Sequence, residues 1–565
     1  MSARELGLAE PEPLLETPDG DGAFPRLSDD QIQRLSGRGE RRRMQAGEVL
    51  VREGDEHYDF FVVLEGKVAI VHGHCGCDER LIAVHGPRRF LGELSLLTGQ
   101  AAFFTAVVRE AGEVLVVPVE RLRRLVALDA ALGDLILRAY LIRRELLIGI
   151  GAGFRIVGSR YSPDTRRLRE FASRNRLPHH WIDLEEDSAA ETLLRQLSVA
   201  PDETPVVIWG REVLRNPSNV ELARRIGLPA PRSPQDVSDL VVVGAGPGGL
   251  AAAVYGASEG LTTLTLDAVA TGGQAGTSSR IENYLGFPSG ISGAELAERA
   301  TIQAEKFGAQ LSVPAEVTAL ESRDGHYSVT IADGPTITGR TIVIATGARY
   351  CKLPVAGLER FEGTSVFYAA TLVEAMMCRD DPIAVVGGGN SAGQATLFLV
   401  RHAGRVRLLV RGDDLGKSMS RYLADRIERN PDVEVMLHTE VREAIGDESL
   451  EALVVEDNRT GERKVLPARE LFVFIGAEPH TAWLGDKVAL DDRGFVLTGV
   501  QANSDRPALP LETSLPGVLA VGDVRSGSIK RVASAVGEGA MAVRLVHDHL
   551  ATYQQPELIA HTEAS

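Results

Sequence analysis

Short apolar runs separated by glycine-bearing turns dominate the chain from Gly47 to Pro118. Phe60-Phe61-Val62-Val63-Leu64 and Val114-Leu115-Val116-Val117 are two of them, and this texture predicts β structure. A helical stretch follows from Glu120 to Ile150. Its most apolar part, Leu132 to Ile150, is interrupted by Asp134, Arg138, Arg143, Arg144 and Glu145. That is too many charges to cross a bilayer, so the segment reads as an amphipathic helix. The spacing of Leu132, Leu135, Ile136, Ala139, Tyr140 and Ile142 marks a core-facing stripe or a dimer seam. Residues 154–228 read as a small α/β unit. From Val237 to about Tyr553, strand-like and helix-like stretches alternate in the doubly wound manner.

The 565 residues suffice for roughly four domains. Residues 1–24, with Pro11, Pro13 and Pro18 among acidic residues, are expected to be a disordered lead-in. Pro229-Ala230-Pro231-Arg232-Ser233-Pro234 marks a linker over 229–236. The net charge of −17 disfavours a nucleic-acid partner. The four cysteines, Cys75, Cys77, Cys351 and Cys378, make no disulfide scaffold and fit a reducing compartment. No basic segment followed by an apolar one opens the sequence. The expectation is therefore a cytoplasmic protein without a membrane partner.

Two glycine fingerprints carry the chemistry. Gly244-Ala245-Gly246-Pro247-Gly248-Gly249 follows Leu240-Val241-Val242-Val243, and Gly387-Gly388-Gly389-Asn390-Ser391-Ala392 follows Ile383-Ala384-Val385-Val386. Glycines there allow a tight turn and bring bare backbone to a pyrophosphate. The next helix offers that phosphate unpaired N–H groups and the positive end of its dipole. The strand ends supply a second criterion. Leu264-Thr265-Leu266-Asp267 places an acid where a ribose 2′-OH needs an acceptor. Leu408-Leu409-Val410-Arg411 places a cation that suits a 2′-phosphate. The first site, with Gly244, Gly246, Gly249 and Asp267, therefore reads as FAD. The second, with Gly387, Gly389, Asn390, Ser391, Ala392 and Arg411, reads as NADPH.

Residues 237–550 resemble the low-molecular-weight thioredoxin reductase family. The resemblance rests on Gly272-Gly273-Gln274, Glu282-Asn283-Tyr284, Ala345-Thr346-Gly347, Gly476-Ala477-Glu478-Pro479, Gly522-Asp523 and Lys530-Arg531-Val532-Ala533. It implies an FAD domain over 237–351 and 476–553, split by an NADP domain over 352–475. It adds Gly273, Gln274, Asn283, Gly522, Asp523, Arg531, Val532 and Ala533 to the flavin site. Asp523 would bond the ribityl or pyrophosphate portion, and Arg531 to Ala533 would lie near the flavin ring. Rotation of one domain on the other would bring the nicotinamide to the flavin.

Two departures stand out. The family's paired arginines for the 2′-phosphate are reduced to Val410-Arg411-Gly412 with Lys417 nearby, which leaves the choice between NADPH and NADH open. The family's Cys-x-x-Cys is replaced by Tyr368-Ala369-Ala370-Thr371-Leu372-Val373. Cysteine-free relatives of this fold, the ferredoxin and flavodoxin reductases, pass electrons from FAD directly to an acceptor. Cys378, after Met376-Met377, reads as a packed thiol. Neither it nor Cys351 receives a role.

Residues 154–228 resemble the glutaredoxin family, a thioredoxin-like fold. The matching stretches are Arg155-Ile156-Val157-Gly158-Ser159, Trp181-Ile182-Asp183 and Thr204-Pro205-Val206-Val207-Ile208. Ser162-Pro163-Asp164-Thr165 stands where the family has its thiols. Hydroxyls do not ionise at neutral pH or form disulfides, so the unit is catalytically silent. It is either a ligand-binding groove beside Pro205 or a spacer or dimerisation unit.

Residues 25–150 resemble the cyclic-nucleotide-binding domain, a jelly roll followed by helices. Gly47-Glu48-Val49-Leu50, Glu53-Gly54-Asp55, Leu64-Glu65-Gly66-Lys67-Val68 and Leu91-Gly92-Glu93-Leu94-Ser95-Leu96-Leu97 carry the match. The resemblance implies a ligand at Gly92, Glu93 and Ser95, with Glu93 on the ribose 2′-OH and backbone N–H groups around the phosphate. The family's phosphate-pairing arginine falls on Ala102. A different ligand, or none, stands beside a cyclic nucleotide. The crowded His72-Gly73-His74-Cys75-Gly76-Cys77 invites a metal, but ligands so close together on a hairpin rarely close a tetrahedron, and none is assigned.

The expected architecture is multidomain: a β jelly roll with helices, a thioredoxin-like α/β unit, then two Rossmann-like α/β nucleotide domains. The expected activity is NADPH oxidation through FAD to an unidentified external acceptor, in a homodimer, biased by the N-terminal sensor. The alternatives are a non-enzymatic nucleotide sensor or scaffold, and a thioredoxin-disulfide reductase using Cys351 or Cys378.

Overall fold

The computed structural model describes residues 14–562 apart from 74–78, 211, 230–236, 279, 282, 324, 333, 363, 369, 371–374, 376–377, 379–380, 404, 448 and 503–508. The chain forms two compact units. One runs from residue 14 to Ser159 and resumes over Arg176–Leu228; the other comprises Arg160–Asn175 and the chain from Pro229 onward.

The first unit opens with α1 (Asp29–Ser36), whose start is fixed by a reciprocal cap between Ser28 and Gln31. Five strands follow: β1 (Glu40–Met44), β2 (Val49–Val51), β3 (Phe60–His72), β4 (Arg80–His85) and β5 (Thr105–Val117). They pair antiparallel in the order β1-β5-β3-β4, with β2 on β5. Met44, Phe61, Val63, Val68, Leu91, Phe104 and Val108 fill the interior. The short α2 (Ser95–Thr98) lies between β4 and β5, and α3 (Val119–Leu128) and α4 (Ala130–Gly149) follow β5.

The apolar stripe of α4 is core. Leu132, Ile136, Ala139, Tyr140 and Leu147 are buried, and so are Arg143 and Arg144. Residues 14–24 depart from the expected disordered lead-in. Thr17 exchanges hydrogen bonds with Val84 (3.1 and 2.8 Å), and Ala23 and Phe24 are buried. Phe24 is apolar enough to be drawn under the Arg143 guanidinium, 5.6 Å from its ring centre. Residues 1–13, most of the linker and the His74–Cys77 segment lie outside the described residues.

A second sheet in this unit contains β6 (Phe154–Gly158), β7 (His179–Asp183), β8 (Val206–Trp209) and β9 (Glu212–Arg215). Its order is β7-β6-β8-β9. The β6/β7 pair is parallel, and β8 runs antiparallel to both β6 and β9. The Thr204–Pro205 peptide bond is cis. Helix α5 (Pro163–Arg174) belongs to the second unit. Ser162 caps it by accepting the Thr165 N–H at 3.3 Å, so the Ser-Pro-Asp-Thr stretch is a helix start.

The second unit holds two nucleotide-type sheets. In the first, β10 (Ser238–Val243) lies between β11 (Thr263–Leu266) and β15 (Thr336–Ile344), parallel to both. β12 (Gln310–Ser312) extends one edge, and the antiparallel β14 (His326–Ile331) and β13 (Val317–Arg323) extend the other. The late strand Val518–Ala520 adds to β15. The other sheet, built entirely between residues 366 and 473, is parallel: β17 (Val366–Phe367), β21 (Glu470–Val473), β18 (Pro382–Val386), β19 (Arg405–Val410) and β20 (Val433–Leu437), in that order. The chain leaves the first sheet through β16 (Ala348–Tyr350) and returns beside it at Ala477–Pro479. Among the described residues, no helix is long and apolar enough to cross a membrane.

Candidate functional site

The first fingerprint is the turn from β10 into helix α6 (Pro247–Ser258). Gly244 has φ +105°, and a Cβ there would run into the Ala345 carbonyl. Gly246 is the N-cap and Pro247 occupies the first turn. A Cβ on Gly249 would strike the Gly244 carbonyl, so this glycine lets the helix close on the strand rather than facing a ligand. Asp267 ends β11. Its carboxylate accepts the N–H groups of Ala245 (2.8 Å), Val269 (3.0 Å) and Ala270 (3.1 Å), which ties the acid to the fingerprint turn. A carboxylate has about four acceptor positions, so one remains for a hydroxyl.

The second fingerprint repeats the turn from β18 into helix Asn390–Leu399, with Gly389 as N-cap. A Cβ on Gly387 would collide with the Phe474 carbonyl. Asn390 accepts the Ser420 N–H through Oδ1 at 2.6 Å. Arg411, one residue past β19, is exposed, and its carbonyl accepts from Asn458 at 3.0 Å. Lys417 is held by Asp413 at 2.7 Å.

Both fingerprints open into one cleft of about 580 Å³. Gly244, Gly246, Gly248, Asp267, Gly273 and Gln274 line it together with Gly389, Asn390 and Ser391. Gly522, Asp523, Arg531 and Val532 complete a further wall. Glu538 fixes that wall: it accepts the Gly522 N–H at 2.6 Å and pairs with Arg525 at 2.5 Å. Burial raises the Asp523 carboxyl above the usual carboxylate range, against the opposing pull of Lys530. Among the described residues that carboxyl has no hydrogen-bond partner.

The jelly roll has its own buried polar cluster. The Arg144 guanidinium meets Glu93 at 2.8 Å, with the two side chains 1% and 2% exposed. It also donates to Ser95 Oγ, Gln100 and the Arg176 carbonyl, at about 3.2 Å each. Ser95 donates to Glu93 through its hydroxyl and through its N–H at 3.1 Å. Arg143 lies 4.7 Å from the Phe90 ring centre and donates to the Gly92 carbonyl at 2.7 Å. The cavity left beside Gly92, Glu93 and Arg143 is about 30 Å³.

The family model for pyridine nucleotide-disulphide oxidoreductases matches residues 238–539. The chain belongs to that family. A second model, the cyclic nucleotide-binding domain, matches residues 41–129. Thioredoxin reductase of Treponema pallidum is 34% identical over 316 residues, covering 56% of this chain and 98% of that protein. A 34.2 kDa protein in the rubredoxin operon of Clostridium pasteurianum is 31% identical, covering 55% and 97%. Among solved structures, Lactococcus lactis thioredoxin reductase in its FR conformation aligns with a TM-score of 0.52 at 28% identity, covering 56% of this chain and 99% of that one.

This pyridine nucleotide-disulphide oxidoreductase is an FAD-dependent enzyme of the thioredoxin reductase-like group, which uses FAD and NADPH. The cleft fits a dinucleotide. Its size lies within the range of ligand sites, a Cβ on Gly244 or Gly273 would crowd the fingerprint turn, and Asp523 presents an unpartnered acceptor.

Several expected site residues stand elsewhere. Asn283 is exposed and does not line the cleft. Ala533 is exposed, and the next helical turn supplies Ala535 instead. Gly249, Gly387 and Ala392 act in packing; Ala392 is fully buried in the core of the second nucleotide sheet. Arg411 lies outside the cleft. Gly92, Glu93 and Ser95 are brought together, but Glu93 and Ser95 are engaged by Arg144. Arg174, Glu316, His480 and Trp483 line the cleft without having been singled out in the sequence.

Cys378 lies in the apolar core among Phe367, Ile383, Val385 and Leu399. Cys351 is half-buried and donates its N–H to the Gly476 carbonyl at 3.0 Å. Much of the Tyr368–Val373 segment lies outside the described residues.

Proposed function

We propose that the chain is an NADPH:acceptor oxidoreductase whose cleft would hold FAD, which would supply hydride acceptance from NADPH and electron release to an external acceptor without a protein dithiol. The carrying observation is the shared cleft: Asn390 and Ser391 of the second fingerprint line the same cavity as Gly246, Gly273 and Asp523. The helix N-termini at Gly246 and Gly389 supply N–H donors for phosphates. Asp267 accepts a ribose hydroxyl, and Asp523 accepts a hydroxyl of the flavin chain. Arg411, exposed one residue past β19, selects for the 2′-phosphate. The sulfur positions support the absence of a relay. Cys378 is sealed in a core, and Cys351 sits in a segment that contains no second cysteine.

In this reading, residues 237–351 with 476–553 hold FAD and residues 352–475 hold NADPH. Residues 154–228 are a thiol-less thioredoxin-like unit, which the β7-β6-β8-β9 order supports. Residues 41–129 are a regulatory module whose ribose acceptor, Glu93, is held by Arg144. Steady NADPH oxidation with quinone, flavodoxin, ferredoxin and thioredoxin disulfide tests the reading. Turnover with a non-thiol acceptor and none with thioredoxin is expected. Thioredoxin reduction that disappears in Cys351→Ala would refute it.

A further inference from the structure

The cleft must accept a doubly charged pyrophosphate, yet three acids line it: Asp267, Glu316 and Asp523. Its lining cations are Arg174, Lys530 and Arg531. Lys530 and Arg531 are adjacent on the segment after Asp523. The Lys530 ammonium lies over the Phe495 ring at 5.0 Å, and Arg531 donates to the Lys530 carbonyl at 3.0 Å. At the first fingerprint the lining cation is Arg174, the last residue of α5.

Arg174 is placed there by contacts on both sides. Its guanidinium reaches the Gly273 carbonyl at 3.4 Å. Gly273 abuts the fingerprint turn so closely that a Cβ on it would stand 3.0 Å from the Gly246 Cα. The next residue, Asn175, donates to the Val269 carbonyl at 2.9 Å, and the Val269 N–H donates to Asp267 at 3.0 Å. The end of α5 is therefore fastened to the two turns that serve a phosphate and a ribose. Arg174 also faces Glu170, at 3.9 Å. A guanidinium has five N–H donors, and these two long contacts leave most of them for a ligand.

We propose that Arg174 is a binding residue for FAD, pairing with the phosphates of its adenylate half. The residue lies outside the 238–539 stretch that matches the family. The inference rests on FAD as the resident cofactor and is independent of where the electrons go.

The test is equilibrium binding of FAD and of riboflavin to the full-length apoprotein by flavin fluorescence, for wild type, Arg174→Gln and Arg174→Lys. A charge-assisted contact of ordinary strength is worth roughly a tenfold to hundredfold change in Kd. Arg174→Gln is expected to weaken FAD by that factor, with riboflavin, which has no phosphate, unchanged. Arg174→Lys is expected to recover part of the loss, and added salt to weaken wild type more than Arg174→Gln. An FAD Kd within twofold of wild type in Arg174→Gln would overturn the proposal. So would equal weakening of FAD and riboflavin, since that reports a distorted cleft. ADP-ribose competition should weaken in parallel with FAD. Failure of NADPH turnover in wild type with normal FAD binding would count against the proposed function alone, whereas an unchanged FAD Kd in Arg174→Gln counts against Arg174 alone.

Discussion

Removing Arg144 alone should destabilise the first unit far more than removing Arg144 and Glu93 together. The Arg144 side chain is 1% exposed and the Glu93 side chain 2%, at 2.8 Å. Arg144→Met leaves a buried carboxylate with only the Ser95 N–H and hydroxyl as partners. It also frees Gln100 and the Arg176 carbonyl. Breaking one side of such a pair costs about 3–5 kcal/mol. Replacing both sides with apolar groups of similar volume is close to neutral, so Arg144→Met with Glu93→Met should fall within about 2 kcal/mol of wild type. The assay is urea unfolding read by hydrogen exchange in 91–100 and 130–149, which separates this unit from the rest of the chain. A single substitution costing less than about 1 kcal/mol, or a double variant as damaged as the sum of the singles, would refute the buried-pair reasoning. The same pair implies that a cyclic nucleotide must displace Arg144 to reach Glu93. Cyclic AMP and cyclic GMP should therefore leave the melting temperature of wild type unchanged at concentrations that saturate an unobstructed site.

Gly249→Ala should abolish FAD retention on purification, because its Cβ would meet the Gly244 carbonyl inside the fingerprint; flavin content per chain measures this. Burial, with Asp381 adding to it, raises the Glu470 carboxyl to about 8. The folded form then holds a proton that the unfolded form releases near its ordinary value of 4.5. Stability from this group is full below 4.5 and is lost as pH rises toward 8, by a few kcal/mol. Glu470→Gln should remove that slope in thermal melts between those pH values; an unchanged slope would refute the assignment. Cys351→Ala with Cys378→Ala should leave NADPH turnover within about twofold of wild type, as neither sulfur is placed for a relay. A loss beyond tenfold would show a thiol in the path.

What the sequence disclosed follows contact range. The two fingerprints, Asp267 and the Gly522-Asp523 turn are local signals: a few neighbouring residues fix the backbone, and the cleft forms on them. The residues missed come from long-range pairing. Arg144 and Glu93 are 51 positions apart, and Arg174 and Gly273 are 99 apart. A signal for the first was present, since two adjacent arginines on an apolar helical stripe are costly unless paired. Nothing in one sequence marked Glu93 as the partner. Ala533 stands outside the cleft for a simpler reason. A strand end or a motif gives the position along the chain, but the direction of the helix or loop decides which side chain faces the cavity. The lead-in misleads because its prolines and acids outweigh Phe24, whose ring is what anchors it.

The most direct test of the central claim is an anaerobic NADPH titration of the FAD-loaded protein. Reduction is followed by bleaching of the flavin band near about 450 nm. Electron flow without a sulfur relay requires complete bleaching at about one NADPH per flavin, because the flavin alone holds about two electrons. Uptake of about two NADPH per flavin would place a reducible disulfide in the path, and absence of bleaching would remove NADPH as the donor; either result contradicts the account.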